Sequence, residues 1–103
     1  MNAPAPTPFT ARSRADVATP QATRYLTQLC KHFGHRCPVM LGAASGQIAF
    51  GSGDCRLHAD AGTLSLALAA ADDTALLALQ DVVARHLLRF AFREPMQVTW
   101  SRA

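Results

Sequence analysis

Several things are scarce in this chain, and each scarcity removes a class of function. Its longest apolar run, around Leu64 to Ala71, falls far short of the roughly 20 residues a membrane-spanning helix needs. Nothing resembles a secretory hydrophobic segment. Cysteine occurs three times, so the thiols cannot all pair with one another, and the expectation is reduced thiols in the cytoplasm. The charge excess is mild, +3 with a pI near 9.1, and no dense basic stripe is interleaved with aromatics, which argues against a nucleic-acid partner. There is no phosphate loop, no paired acid–base constellation and no complete set of metal ligands, so an enzyme is the weakest reading. No cofactor and no membrane partner are expected.

What remains is a chain of 103 residues, half of them hydrophobic. One domain of this size buries roughly 60–70% of its unfolded surface, enough for a core without disulfides or metal. Residues 1–12 carry three prolines and little patterned hydrophobicity, which reads as a mobile tail ahead of a single domain over 13–103. Within the tail, Phe9 is a residue that can dock. Residues 14–18 suit a short strand.

Thr19-Pro20 predicts a helix start, a capping hydroxyl followed by proline at the first helical position. Ala22, Tyr25, Leu26, Leu29, Cys30 and Phe33 then fall on one face, and Gly34 is expected to end the helix in a left-handed conformation. Val39–Leu41 turning into Gln47–Phe50, then Cys55–Ala59, then Leu64–Leu68 read as an antiparallel meander with one apolar face. Asp72-Asp73-Thr74 opens a second helix with acidic residues at its positive end. Its apolar stripe is Leu76, Leu79, Val83, His86, Leu87 and Phe90, running on to about Phe92. Val98 and Trp100 alternate as a closing strand. The order β-α-β-β-β-α-β predicts an α+β two-layer sandwich, a mainly antiparallel sheet with two helices on one face.

The densest chemistry lies around the end of the first helix, where Cys30, His32, His35 and Cys37 offer four ligand types in eight residues. Zinc sites draw on such residues. Yet at about 100° per residue Cys30 and His32 lie about 160° apart on a helix, so they cannot close on one ion. No metal is predicted, with Cys30, His35 and Cys37 left as weak candidates. A nucleophilic Cys30 is disfavoured at a helix C-terminus, which leaves Cys37, flanked by Arg36, as the more reactive thiol. Lys31, His32, His35 and Arg36 complement the negative helix end and form a candidate site for an anionic ligand. Arg56 and His86 complete the candidate set. On the wheel, His86 is expected to face the sheet, either as a satisfied core histidine or as part of a pocket with Cys30 and Cys55.

Arg85, Arg89 and Arg93 repeat every four residues and make a candidate partner-binding row, with Asp81 placed to pair with Arg85. The outer sheet face is expected to carry Gln47, Arg56, His58, Ser65, Ala67 and Thr99. With small Ala67 and Ala69 where water was expected, that face is a candidate homodimer surface or groove floor.

Three blocks in order, RYLTQLCKHFGHRCPV, CRLHAD and VVARHLLRFAFRE followed by VTW, resemble the bacterial family called domain of unknown function 2218, from about Asp16 to Arg102. The resemblance implies a small α+β domain without assigned activity or catalytic residues. Family members occur alone or joined to proteins similar to siderophore-interacting flavin reductases, which implies a role around iron acquisition and such a reductase as partner. The resulting expectation is a cytoplasmic binding module, accessory to iron or siderophore use. The alternative is a structural domain that homodimerises through its sheet face.

Overall fold

The computed structural model describes residues 9–103; the greater part of the expected tail, residues 1–8, lies outside them. The elements in chain order are β1 (Ala11–Ala18), α1 (Ala22–Phe33), β2 (Val39–Leu41), β3 (Ser45–Ala49), β4 (Gly53–Ala59), β5 (Thr63–Ala70), α2 (Asp73–Phe90) and β6 (Ser101–Arg102). All strands join one antiparallel sheet in the order β2-β3-β4-β5-β1-β6. Both helices pack on one face, giving the expected α+β sandwich. The stretch from Val39 to Ala49 contributes two strands, so the full order is β-α-β-β-β-β-α-β.

Period-two alternation sets the sheet's two faces. Val17, Ile48, Cys55, Leu57, Leu64, Leu66 and Leu68 point into the core, where they meet Leu26, Leu29, Leu76, Leu79, Val83 and Leu87 from the helices. The polar residues between them face outward. β1 begins at Ala11 and keeps strict buried–exposed alternation through Ala18. Its first two residues, Ala11 and Arg12, therefore belong to the sheet, where they pair with Ala70 and Ala69.

Thr19 Oγ1 accepts a hydrogen bond from the Gln21 amide at 3.0 Å. The hydroxyl thus caps an irregular first turn, and regular helix starts at Ala22. At the other end the expectation needs correcting: Gly34 has φ −62° and ψ −15°, right-handed and not left-handed. Its amide still reaches Cys30 O at 2.9 Å, and tight turns continue through Arg36 and Cys37, whose amides both bond Phe33 O. The chain unwinds gradually because its amides keep finding carbonyl partners. α2 is capped by Asp72, whose side chain accepts from the Ala75 amide at 2.8 Å. It ends at Phe90, short of Phe92. The last strand pairing falls on Ser101 and Arg102, while Val98 and Trp100 instead pack half-buried against the core.

Two glycines let the layers approach. A Cβ on either would lie 2.6 Å from a helix side chain, Leu79 Cδ1 for Gly53 and Cys30 Sγ for Gly46, so neither position admits a side chain without movement. Among the described residues no helix is long and apolar enough to cross a membrane.

Candidate functional site

The last turn of α1 and the last two turns of α2 come together at one rim of the helix layer. Across that junction the imidazoles of His32 and His86 lie 4.9 Å apart between centroids, tilted by 42°. Aromatic rings hold them. Phe33 stands 5.0 Å from His32 and 4.9 Å from His86, and Phe50 meets Phe33 edge-on at 5.0 Å. Phe90 touches the far side of His32 at 5.6 Å. The tight turns after Gly34 bring His35 and Arg36 to the same place. The result is a hollow of about 370 Å³ lined by His32, Phe33, His35, Arg36 and His86. Among the described residues no carboxylate lines it.

His86 is half-buried, and its Nδ1 lies 2.6 Å from the Val82 carbonyl oxygen one turn earlier. A carbonyl can only accept, so Nδ1 carries the proton, and in the neutral ring Nε2 keeps a free lone pair. On the opposing ring, desolvation first, then the positive charge of His86, His35, Arg89 and Arg36, depress the His32 pKa below its ordinary value. Cations converge on this imidazole with no anion among them. Lys31, His35, Arg36 and Arg89 form no ion pair among the described residues.

The structure sorts the sequence candidates. His32, His35, Arg36 and His86 share the hollow. Lys31 faces away, over Thr27 and Gln28 on the exposed side of α1. Arg56 lies on the opposite face of the sheet, between Gln47 and Ala67. His86 meets the end of α1 and not the sheet, because its place beyond Val83 carries it past the sheet's cover to the helix–helix junction. Cys30 and Cys55 do not join it; both are sealed in the core. Burial raises both thiol pKa values, and in Cys55 the nearby Cys30 and Asp54 add to the effect. Among the described residues no group of three or more histidines, cysteines or acids is placed to hold a metal. Of the weak metal candidates, Cys30 points inward, Cys37 packs against the core and His35 is exposed.

The arginine row also divides. Arg85 pairs with Asp81 at 3.6 Å, as the spacing predicted. Arg93 lies beyond the helix, with its guanidinium 5.3 Å above the Phe92 ring, so the row ends at Arg89. Arg89 acts on His32 and belongs with the histidines. Its position three residues after His86 places it on the same helix face, a signal available in the sequence. That His32 would be the ring opposite His86 had no local signal.

Comparison with known proteins agrees with this architecture. The family described as an uncharacterized protein conserved in bacteria (DUF2218) matches residues 14–101. The NMR structure of PA4090 from Pseudomonas aeruginosa superposes with a TM-score of 0.77 at 38% sequence identity, covering 89% of this chain and 96% of that one. No curated protein matches the chain. A match across nearly the whole sheet-and-helix unit identifies the chain as a member of the DUF2218 family.

Proposed function

We propose that this chain is a small binding module that receives an anionic ligand in the histidine–arginine hollow between the ends of α1 and α2. One observation carries the reading. Two imidazoles 4.9 Å apart share a hollow with Arg36 and His35, Arg89 lies close enough to act on His32, and no carboxylate balances them. Arg14, Arg85 and Arg102 have carboxylate partners, whereas the rim gathers several cations in one place without one among the described residues. An unbalanced cluster around the half-buried His86 ring and the exposed His32 ring favours an anion that supplies the missing charge. The Phe33 ring in the hollow's lining suits a ligand with an apolar body beside its anionic group.

Binding takes up a proton. Desolvation first, and then the neighbouring cations, hold the His32 pKa down; an anion beside the ring offsets the cations' share, so binding favours the protonated ring. The test is a titration of the intact protein with inorganic phosphate, citrate and a ferric siderophore complex, following the histidine ring resonances by NMR. The reading expects saturable shifts at His32 and His86, stronger at lower pH and lost in His32→Ala. Uniform small shifts at all four histidines, unsaturated at tens of millimolar, would reject it. Saturation by the siderophore complex alone would select iron handling and a siderophore-interacting reductase as the setting; saturation by citrate or phosphate would broaden it.

A further inference from the structure

The other face of the sheet is covered by neither helix, and its residues stand in three levels. Cross-strand register places Asp54, Ala69 and Arg12 on one level, Arg56, Ala67 and Arg14 on the next, and His58, Ser65 and Asp16 on the third. Gln47 and Met40 extend the middle level to the sheet edge, where Met40 is 72% exposed. The middle column is small throughout. Charged and imidazole side chains therefore flank a shallow trough along β5, with a hollow of about 320 Å³ at its Ala69 end that Phe9 and Ala103 also line. The β1 side reads +, +, − from Arg12 to Asp16; the β4 side reads −, + and imidazole from Asp54 to His58.

We propose that this face packs against the same face of a second copy of the chain, about a two-fold axis that crosses the strands at the level of Ala67. That rotation lays each strand antiparallel over its own counterpart and exchanges the outer levels. Arg12 then meets the second copy's Asp16, and Asp54 meets its His58, each contact occurring twice. Alanine meets alanine on the axis, which allows close approach, and the exposed Met40 side chains cover each other. A two-fold axis along β5 would pair charges equally well but would leave Met40 overhanging, since β5 is not the middle of the sheet. Like charges meet only on the axis. There Arg14 is already held by Asp16 of its own chain at 3.0 Å, and Arg56 stands one level from an Asp54 of either copy.

Six strands at about 4.8 Å spacing make this face roughly 24 Å wide, at or below the standard interface size, so the dimer is a weak one. Sedimentation of the intact protein at low salt, from about 10 μM to about 1 mM, is therefore the measurement, a range spanning weak association. The wild type is expected to self-associate. Arg12→Asp and Asp16→Arg should each weaken association about tenfold or more, and an equimolar mixture of the two should recover it, because both crossed contacts are then restored. Circular dichroism confirms that each variant is folded, and Ala67→Arg, which blocks the axis sterically, should abolish association independently. A wild type monomeric at about 1 mM overturns the proposal, as does association that survives Ala67→Arg. Recovery in a mixture of Arg12→Asp with Asp54→Arg, but not with Asp16→Arg, would overturn the axis.

Discussion

Cys30 and His32 are two residues apart and have opposite fates. Cys30 ends on the inner face of α1 with its sulfur against Gly46, and its neighbouring thiol, Cys55, is equally sealed. His32 ends on the outer edge, ring to ring with His86. Both pairs are built from residue types that bind metals and protons, yet one is core packing and the other is the candidate site. Rotation along the helix makes the difference: two steps of about 100° leave positions i and i+2 about 160° apart. A crowded motif in sequence is thus split by its own helix, and each half finds its partner in a distant element.

The largest test of that split is chemical. In the native protein, Cys37 is partly exposed and should alkylate readily, whereas Cys30 and Cys55 are buried with thiols held protonated by desolvation. Their labelling with iodoacetamide, read by mass spectrometry, should be orders of magnitude slower than that of Cys37 and appear only with global unfolding in urea. Rapid native labelling of Cys30 would place it at the surface and erase the contrast.

The next effect is energetic. Gly46→Ala would set a methyl 2.6 Å from Cys30 Sγ and should cost about 1–3 kcal/mol in urea denaturation, as overpacking does. Removing the sulfur as well, in Cys30→Ala/Gly46→Ala, should return part of that loss as a coupling of about 0.5–3 kcal/mol. Strict additivity would mean that the sulfur does not define the α1–β3 spacing.

Much of this was legible beforehand. The buried face of α1, the inward leucines of β5 and the Asp81–Arg85 pair all follow from local periodicity, which is what a sequence encodes most directly. The rim was half legible. His32, His35 and Arg36 were recognisable as a basic cluster at a helix end, but the meeting of His32 with His86 depends on how two helices cross, and residue spacing does not specify that. The same limit explains why Arg56 was grouped with a site on the far side of the sheet: period-two alternation tells inside from outside, not which outer surface shares a hollow. Gly34 shows another limit. Its residue type allows a left-handed cap, but the Phe33 carbonyl already serves the amides of Arg36 and Cys37, and the right-handed path suffices.

At the rim the expected effects are shifts in protonation. The His32 pKa lies below its ordinary value of 6.5, chiefly through desolvation and then through His86. His86→Gln should therefore move the His32 midpoint upward in an NMR titration of its ring protons. The sign on stability follows by linkage. The folded chain binds this proton less readily than the unfolded one, so the ring costs stability as pH falls from about 6.5 toward the depressed folded value, and costs none well above 6.5. A steeper acid loss of urea stability in the wild type than in His32→Gln would agree. An unmoved His32 midpoint in His86→Gln would mean that the two rings do not act on each other.

Arg85 and Arg89 give the finest version of the contrast, since they are one helical turn apart on α2. Arg89 acts on His32, so Arg89→Gln should raise its midpoint by less than His86→Gln does, following the order of the contributing charges. Arg85 already has Asp81 at 3.6 Å, with both side chains more than half exposed, and does not bear on the ring. Arg85→Gln should leave the His32 titration where it is. Asp81→Asn should cost only about 0.3–0.5 kcal/mol, the range of exposed pairs at this helical spacing, and less in high salt. A shift of His32 in Arg85→Gln equal to that in Arg89→Gln would show that general surface charge, and not the geometry of the rim, sets the protonation of the site.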